Sequence, residues 1–443
     1  MSDVVYGDKP ETILRSAKRA SARAKNHVLL GTWLNVLQRD PPWLEVETAG
    51  RGPGGWVHED DVSETPCLKV FFTDVGQGDG TVIESPTGNL LIDGGPTRGF
   101  HDFLGHLYRP TFARGDAVHF DAVVMSHPDA DHFEGLTRVL KDSRFTFGWI
   151  YHNGIIRYDS RTSSGQPFDL GRIRTADDGS AVLAETFDDL DQVAALVAGG
   201  HLMARYRAFW EAAIEAHSQG RLKGARRLTA REETLPGFRA VGDHHLKIDV
   251  LGPIPTGPSG RVEYATFADP HDHPSTDASS SHTRNGHSIV LRLTFGDHSF
   301  LFGGDLNIPA EKHLLARMGD PGMLRVDVAK ACHHGSSDFS VDFLKKVRPR
   351  VNVFSSGDNK SFDHPMADAM GAAARHSRGD RPLLFSTELA RAPTGHGVHY
   401  GLINARSNGA TLVMAQMKEQ HAGKADVWDS YTVPWSGRFP ELD

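Results

Sequence analysis

A short polar segment directly after an apolar run is the feature that most limits what this chain can fold into. The run FDAVVM is typical of a buried strand, and the segment SHPDADHFEG that follows carries five ionisable groups: His127, Asp129, Asp131, His132 and Glu134. A strand that ends in a tight loop can aim several side chains at one point, and imidazoles with carboxylates suit one or two divalent metal ions. Capping of the next helix by Asp131 would explain one aspartate and neither histidine. Glu134 lies beyond the cluster, and we interpret it as a charge near a helix N-terminus.

Four later segments place residues of the same types at the ends of further strands. They are His287 in NGHSIVLRL, Asp305 in FLFGGDL, the pair His333 and His334 in KACHHGSS, and His364 in NKSFDHP. A carboxylate at the end of a buried strand is costly without a partner cation, so Asp305 is a candidate ligand between two metal ions. A lone histidine such as His287 is more often structural, and each of the other segments is ambiguous alone. Five strand ends that each deliver such a residue predict a metal centre.

The composition restricts the class of protein. The chain has 443 residues, which is longer than one ordinary domain and short for three domains. Its net charge of -8 argues against broad attraction to nucleic acid or anionic lipid, so any basic groove must be local. Two cysteines, Cys67 and Cys332, do not make a disulfide framework. Because the sequence shows neither an apolar signal core nor an apolar run of membrane-spanning length, we expect a cytoplasmic protein without membrane contact.

The order of strand-like and helix-like segments predicts an α/β layered fold, because strands come first and then alternate with helices. We expect a main domain over residues 67–375 with a helical insertion at about 150–245. Within it, the stretch Asp188–Gln219 repeats large apolar side chains at helical spacing, and we predict that they form its core face: Met203, Tyr206, Trp210 and Ile214. A C-terminal extension over 376–443 contains a predicted β-hairpin around an Asn-Gly turn.

The N-terminal segments have a different texture. Residues 1–24 are polar and basic, and we predict an arm or a short helix. In residues 25–64, tryptophans and valines recur between turn signals, at Trp33, Val36, Trp43, Val46 and Gly55–Val57. This pattern resembles a bacterial SH3-like β-barrel, which implies a protein partner that binds through it. The alternative is an N-terminal hairpin packed on the main domain.

Four motifs in a fixed order carry a second resemblance. They are DVGQGD at Asp74–Asp79, SHPDADH at Ser126–His132, KACHHGS at Lys330–Ser336 and GDNKSFDHP at Gly357–Pro365. The chain resembles the metallo-β-lactamase superfamily, whose first motif is usually H-x-H-x-D-H, and more closely the hydrolase domain of the ComEC-type DNA-uptake proteins. This resemblance covers about residues 68–370, apart from the insertion. Asp129 stands where the superfamily motif has a histidine, and the membrane helices of the competence proteins have no counterpart.

The resemblance implies an αββα sandwich with two divalent metal ions, Zn²⁺ or Mn²⁺, at the rim between two sheets. The implied metal ligands are His127, Asp129, Asp131, His132, His287, Asp305 and His364. One ion would take His127, Asp129 and a later histidine, the other Asp131, His132 and His364, and Asp305 would bridge them. The ComEC relatives have no fixed histidine at the second motif. Whether His287 or the pair His333 and His334 completes the site therefore stays open.

The resemblance also implies catalytic roles. Asp131 would orient the attacking water, His333 or His334 would protonate the leaving oxygen, and Lys330 would hold a phosphate oxygen. The alternative for Lys330 is a surface residue. The predicted substrate-binding residues are Gln77, Asp79 and Ser336. The Gly-rich turn at Asp74–Asp79 can offer backbone amides to an anion, or its aspartates can fix the loop beneath the site.

We therefore predict a metal-dependent hydrolase, specifically a phosphodiesterase or nuclease that acts on DNA or a nucleotide. An aspartate at 129 makes the site harder and more anionic, which favours Mn²⁺ or Mg²⁺ over an all-imidazole site. One alternative is hydrolysis of a carbonyl substrate such as a thioester, lactone or amide, because one fold can host both chemistries. Another is a non-catalytic metal-binding module for signalling or protein interaction.

Overall fold

The structure is a computed structural model that describes residues 3–48, 52–159, 169–240, 242, 244–258, 260–270, 278–357, 362–388, 401–418 and 424–434. Within these ranges, no helix combines the length and apolarity needed to cross a bilayer. The remaining parts of the predicted insertion and C-terminal extension, which include 160–168, 389–400, 419–423 and 435–443, lie outside the described residues.

The N-terminal part of the chain forms one antiparallel sheet of seven strands. In chain order they are β1 (Val4–Gly7), β2 (Glu11–Arg15), β3 (Ala24–Leu29), β4 (Trp33–Asp40), β5 (Trp43–Glu47), β6 (Gly55–His58) and β7 (Val62–Ser63). Their spatial order is β3-β2-β6-β5-β4-β1-β7. Alternate residues point inward and build a small core that includes Leu14, Leu34, Leu44 and Val57. The predicted arm over residues 1–24 is therefore wrong, since β1 and β2 are integral strands of this sheet.

The largest sheet has nine strands. In spatial order they are β15 (Leu222–Arg227), β12 (Phe145–His152), β11 (Val118–Val124), β10 (Gly88–Asp93), β9 (Gly80–Ser85), β8 (Leu68–Phe72), β23 (Ile403–Ser407), β24 (Leu412–Met417) and β25 (Trp428–Val433). The four strands from β15 to β10 are parallel, and the remainder are antiparallel. Because β10 and β11 are parallel neighbours, their carboxyl ends lie side by side.

A six-stranded sheet faces the nine-stranded one. Its strands in spatial order are β16 (Lys247–Gly252), β18 (Val290–Phe295), β19 (His298–Phe302), β20 (Val328–Lys330), β21 (Val351–Phe354) and β22 (Leu383–Ser386). From β19 to β22 the strands are parallel. A further small sheet joins β13 (Ile173–Thr175), β14 (Ala181–Leu183) and β17 (Tyr264–Ala265).

Helices cover the outer faces of both large sheets. They are α1 (Gly99–Leu107), α2 (Arg109–Ala113), α3 (Ala130–Lys141), α4 (Leu190–Gly199), α5 (Ala204–Ser218), α6 (Ser280–Gly286), α7 (Ile308–Arg317), α8 (Val341–Val347) and α9 (Ala367–His376). One apolar core lies between the sheets, a second lies under α1, α3 and α5, and a third lies under α7 and α8. The predicted αββα sandwich is confirmed in this layering.

Two predicted domain boundaries differ from the observed ones. The helical insertion is only partly an addition, because α5 packs on α3 and leads into β15, a parallel strand of the main sheet. Its predicted core face does lie inward, since Tyr206 and Trp210 are fully buried and Met203 and Ile214 pack against the same core. The predicted C-terminal hairpin is formed by β23 and β24, and it belongs to the sandwich, because β23 pairs with β8.

Candidate metal centre

The rim of the sandwich brings together the strand ends singled out in the sequence. His127 and Asp129 follow β11, and Asp131 and His132 begin α3. From the opposite sheet, Asp305 follows β19, while the pair His333 and His334 follows β20. Parallel strands end at the same edge of a sheet, so residues distant in the chain meet at one place.

Four side chains form a compact cluster at this rim. One ligand atom from each of Asp131, His132, Asp305 and His334 lies within 4.8 Å of the others. His132 Nε2 is 3.3 Å from Asp305 Oδ1, and His334 Nε2 is 3.3 Å from Asp305 Oδ2. His334 Nε2 is also 3.4 Å from Asp131 Oδ2. The Asp131 side chain is 33% exposed while the other three are nearly buried, so the cluster opens to solvent on the Asp131 side.

The buried atoms of the cluster fit a divalent cation. The Nε2 atoms of His127, His132 and His334 and Oδ1 of Asp305 are buried without a hydrogen-bond partner among the described residues. Such atoms are costly unless something binds them. Two imidazoles and two carboxylates are a donor set that Zn²⁺ and Mn²⁺ both accept, and His127 Nε2 lies 3.9 Å from Asp305 Oδ2 at the edge of the group.

Hydrogen bonds on the far side of each ring fix which nitrogen faces the cluster. His132 Nδ1 donates to Asp93 Oδ2 at 2.8 Å, and His334 Nδ1 donates to the Ser355 carbonyl at 3.0 Å. His127 Nδ1 lies 3.1 Å from the Ser126 hydroxyl and 3.2 Å from that of Ser288.

Both of these hydroxyl protons are used elsewhere, because Ser126 donates to Asp93 and Ser288 donates to the Asn285 carbonyl. His127 Nδ1 must therefore carry the proton and donate it. With Nδ1 as the donor, the neutral form of each ring directs its Nε2 lone pair at the cluster, and this neutral form is the one that binds a metal ion.

The electrostatics of the cluster's side chains point the same way. Burial disfavours the charged form of His132, yet the carboxylates of Asp305 and Asp93 outweigh it and raise the pKa well above its usual value. The pKa of His334 is raised in the same way, against burial, by Asp305 and Asp79. Burial would raise the pKa of Asp305, but the imidazoles of His132 and His334 hold it well below its usual range. Protons on the imidazoles thus balance the carboxylates, and a divalent ion can replace them.

Asp129 has different partners from the other predicted ligands. Its Oδ1 accepts from Arg157 Nη1 at 2.6 Å and lies 2.5 Å from Arg284 Nε. Its Oδ2 lies 3.7 Å from His127 Nε2, and when the Asn285 side-chain amide is turned to face its nitrogen toward acceptors, that nitrogen donates to Oδ2 at 3.0 Å. The structure therefore places Asp129 next to the centre but in ion pairs with two guanidinium groups.

His287 lies away from the cluster, and its predicted role as a ligand is wrong. Its ring stacks on Tyr264 and Phe267, and Nε2 donates to the Ala265 carbonyl at 2.7 Å. Burial lowers its pKa to about 3, so it stays neutral inside this aromatic pocket. The adjacent Ser288 is the residue that reaches the centre, by contacting His127 and by accepting from the Asp305 amide at 3.0 Å.

Lys330 is neither a surface residue nor a phosphate ligand. Its side chain is buried, its ammonium forms an ion pair with Asp79, and it donates to the Gly304 carbonyl at 3.2 Å. Asp79 Oδ1 in turn lies 3.3 Å from His334 Nδ1. Lys330 and Asp79 lie buried beneath the cluster and pair with each other. The predicted catalytic role of Lys330 and the predicted substrate contact of Asp79 are therefore both wrong. Two roles were considered for the Asp74–Asp79 turn, and Asp79 has the second one, which is to fix the loop beneath the site.

Gln77 and Ser336, the other predicted substrate ligands, contact protein groups. Gln77 Nε2 lies 3.0 Å from His364 Nδ1, which links the Gly-rich turn to the loop after β21. His364 lies beside the two histidines of the HHG turn. Its ring centre is 5.8 Å from that of His333 and 6.1 Å from that of His334. The Ser336 hydroxyl accepts from the Asp338 amide at 3.2 Å, within its own turn. A role of His364 as a ligand stays a prediction.

The structure distinguishes His333 from His334. Both have left-handed backbone angles, with φ of 48° and 58°, and Gly335 follows with 84°. Such angles are unfavourable for residues with a Cβ and persist only where the surroundings enforce them. The turn directs His334 inward, while the His333 side chain is 27% exposed and its Nε2 is 3.9 Å from Asp305 Oδ2. His334 therefore belongs to the cluster, and His333 lies at its open face.

Several residues of the site were not predicted from the sequence. Asp93 ends β10 in the segment LLIDGG, and this carboxylate after a buried strand is the same signal that identified Asp305. Ser126 and Ser288 carry no distinctive pattern. Arg157 and Arg284 lie in segments without a recognisable motif, so only the folded chain reveals that they meet at Asp129.

Comparisons with known proteins agree with this architecture. The family model described as the metallo-beta-lactamase superfamily matches residues 73–355. Competence protein ComA of Neisseria gonorrhoeae is 36% identical over 93 residues, which is 21% of this chain and 13% of that protein. ComE operon protein 3 of Bacillus subtilis is 28% identical over 104 residues, 23% of this chain and 13% of that protein. The chain thus matches only a small part of the length of these relatives.

Two solved structures are similar at low identity. The metallo-beta-lactamase fold protein YhfI from Bacillus subtilis is 12% identical with a TM-score of 0.32, covering 72% of this chain and 96% of that one. A diphosphatase from the PhnP family is 13% identical with a TM-score of 0.31, covering 72% of this chain and 94% of that one. The family match spans well over half of the chain and contains every side chain of the cluster, so the protein belongs to the metallo-β-lactamase superfamily of metal-dependent hydrolases.

Proposed function

We propose that the protein is a phosphodiesterase that uses a metal-activated water to cleave DNA or a nucleotide. The observation that carries this proposal is the cluster of Asp131, His132, Asp305 and His334, in which each ligand atom faces one small volume. A bound divalent ion would supply a water of lowered pKa and polarise a phosphoryl oxygen. The partial matches to two competence proteins support a nucleic acid or nucleotide as substrate.

The chain's own residues would position the reactants. The Asp131 carboxylate, which is partly exposed, can accept a hydrogen bond from the attacking water at the open side of the cluster. His333 lies at the same side, and its Nδ1 is buried without a hydrogen-bond partner among the described residues. Burial lowers its pKa, so near neutral pH its ring is neutral and can donate a hydrogen bond to the leaving oxygen, while the proton for that oxygen would come from water. Lys330 and Asp79 would act indirectly, by supporting His334 from below.

The balance of charge fits a phosphodiester better than its alternatives. Half of the cluster is carboxylate, and carboxylate ligands tolerate the hard ions Mn²⁺ and Mg²⁺ that phosphoryl transfer commonly uses. A protein of net charge -8 offers no general attraction to a polyanion, so the cation must supply the local positive charge. This requirement predicts a strict dependence of cleavage on added metal.

A substrate screen tests the proposal. The purified full chain, loaded with Mn²⁺ or Zn²⁺, would be assayed on single- and double-stranded DNA, RNA, cyclic nucleotides and bis(p-nitrophenyl) phosphate, beside a thioester, a lactone and a lactam. We expect phosphodiester cleavage that the substitution Asp305→Asn lowers by more than about 100-fold. Cleavage of a carbonyl substrate alone, or of no substrate by a metal-loaded chain, would contradict it. Lys330→Ala does not discriminate between the two chemistries, because the buried Lys330 supports the site for either.

A further inference from the structure

We propose that Phe362 is a platform on which an unpaired base of the substrate stacks while the adjoining phosphodiester lies at the metal centre. Phe362 lies at the mouth of the centre, by which we mean the open side of the cluster, where Asp131 and His333 are partly exposed. The inference rests on the proposed function and deepens it, because it assigns a residue that selects the kind of substrate. Phe362 was not among the site residues predicted from the sequence.

The first step in the argument concerns the exposure of Phe362. This residue is 53% exposed, and no other phenylalanine, tyrosine or tryptophan among the described residues is exposed to half of its surface. A single exposed apolar residue is normal on a protein surface, so the exposure alone would carry nothing. The position is what matters, because this one exposed ring lies beside the metal centre.

The second step is a row of rings that leads from the cluster to Phe362. The His364 ring centre lies 6.1 Å from that of His334, with 30° between the ring planes. The Phe362 ring in turn stacks on His364 at 5.9 Å and 28°. The inner end of the row belongs to the cluster, and its outer end is exposed. A base that stacks on Phe362 therefore lies within a few ring spacings of the metal ligands, where a phosphate of the same strand can reach them.

The third step is that the cations around the cluster are already paired. The buried ammonium of Lys330 forms an ion pair with Asp79. The guanidinium groups of Arg157 and Arg284 both contact Asp129. Because the chain as a whole has a net charge of -8, affinity for a strand beyond its contact with the metal has to come largely from uncharged contacts. Stacking on an aromatic ring is such a contact, and it tolerates any base.

A platform of this kind selects unpaired bases. In a duplex, each base is paired and stacked between its neighbours, so Phe362 could cover a base only after the strands had separated. A single strand offers the faces of its bases freely. The Phe362 ring has no hydrogen-bonding group, so it would favour single strands over duplexes without choosing between bases or between DNA and RNA.

Kinetics on the metal-loaded full chain test the assignment. The substrates are a single-stranded DNA oligonucleotide, the RNA strand of the same sequence, the corresponding DNA duplex, and methyl p-nitrophenyl phosphate, a phosphodiester without a nucleobase. We expect single strands to be preferred, and Phe362→Ala to raise their KM by about 5- to 100-fold, several times more than that of the base-free ester. Phe362→Trp should restore the KM. An effect on one kind of strand alone would support the platform and identify the substrate. A loss of equal size on the base-free ester, unaltered KM values, or equal cleavage of the duplex would overturn the inference.

A spectroscopic test needs no turnover. A single strand that contains the fluorescent base 2-aminopurine would be titrated with the Zn²⁺-loaded chain, because stacking on an aromatic ring quenches this base. We expect quenching by the unaltered chain and by Phe362→Trp, and its loss in Phe362→Ala at an unchanged Zn²⁺ content.

The matched control is Leu37→Ala, which removes a similarly exposed apolar side chain from β4 and should quench like the unaltered chain. Quenching that persists in Phe362→Ala, or a loss that follows a fall in Zn²⁺ content, would overturn the inference. A chain that quenches the base but cleaves no phosphodiester would contradict only the proposed function. An active chain without quenching would contradict only the role of Phe362.

Discussion

Asp93 shows how a residue that does not face the cluster can decide whether the cluster binds metal. Its Oδ1 accepts from the Ser126 amide at 2.8 Å, and its Oδ2 accepts from the Ser126 hydroxyl at 2.7 Å and from His132 Nδ1. The carboxylate therefore holds the His132 proton on Nδ1 and leaves the Nε2 lone pair for a metal ion. An amide in the same place would bring N–H donors to Nδ1 and favour the opposite tautomer.

The substitution Asp93→Asn should accordingly weaken metal binding by about 10- to 100-fold while the fold persists. Isothermal titration of the chelated protein with Zn²⁺ would measure the affinity, and circular dichroism the fold. Asp116→Asn serves as the control, because Asp116 is an exposed partner of Arg114 far from the centre. An Asp93→Asn protein with unaltered affinity would show that the hydrogen bond does not select the tautomer.

His287 allows the opposite experiment, in which a histidine in a predicted ligand motif is removed without loss of metal. The substitution His287→Phe keeps an aromatic ring between Tyr264 and Phe267 but leaves the Ala265 carbonyl without its donor. We expect a loss of stability of about 1–3 kcal/mol and unchanged metal content. Chemical denaturation and metal analysis measure the two quantities. A fall in bound metal would restore His287 to the ligand set.

The raised pKa values of His132 and His334 give the stability a defined dependence on pH. In the metal-free protein, a raised pKa stabilises the fold fully below the unfolded value of about 6.5, and this contribution is lost as pH rises through the folded pKa. Metal binding needs the neutral rings, so it gains as pH rises. The difference in Tm between loaded and chelated protein should therefore widen from about pH 6 to about pH 9. Thermal melts across that range measure it, and a constant difference would contradict the assignment.

At the scale of single residues, the sequence predicted well which residue types form the site, but it predicted poorly where their side chains point. Asp131, His132, Asp305 and one histidine of the HHG turn could be named because each follows an apolar strand. The left-handed turn that separates His333 from His334 has no sequence signal, and the burial of Lys330 depends on its pairing with Asp79 across the fold. Local patterns contain no information about such long-range partners.

At the scale of elements, the C-terminal strands show the same limit. The Asn-Gly turn predicted the hairpin of β23 and β24, but its partner β8 lies more than 300 residues earlier in the chain. Because β23 sits between β8 and β24, the hairpin completes the nine-stranded sheet. Four of its side chains belong to the core between the sheets: Ile403, Ala405, Leu412 and Met414.

A chain that ends at Glu388 should therefore fail to fold as a cooperative unit. Burial of a large apolar side chain contributes about 1.5–3 kcal/mol, so losing the hairpin removes an amount comparable with a typical total stability of about 5–15 kcal/mol. Near-ultraviolet circular dichroism and thermal melting would show the loss. A chain that ends at Pro434 retains all three strands and should unfold cooperatively. A cooperative transition in the shorter chain would mean that the hairpin is an appendage.

At the scale of the whole molecule, the N-terminal sheet is attached to the sandwich through its C-terminal strands. Arg406 on β23 donates to the Leu30 carbonyl at 3.1 Å, and Trp428 on β25 donates to the His27 carbonyl at 3.2 Å. Leu30 packs with Cys67 and Val413 in a small apolar cluster at the junction. The metal centre described above takes no residue from this sheet. The protein partner predicted for the SH3-like segment stays a prediction.

Deletion of residues 1–64 should show whether the N-terminal sheet only packs on the sandwich or also supports the metal centre. Cys67 provides the readout. Burial raises the pKa of the Cys67 thiol to about 11, so in the intact protein it should resist alkylation near neutral pH. Without Leu30, the apolar cluster around Cys67 opens, and the Cys67 thiol becomes accessible and more acidic. We expect rapid labelling of Cys67, identified by peptide mass mapping, together with a lowered Tm. Metal content should stay the same, because all of the cluster's ligands and their hydrogen-bond partners lie in the sandwich. Loss of metal alongside labelling would instead make the N-terminal sheet part of the framework that holds the centre.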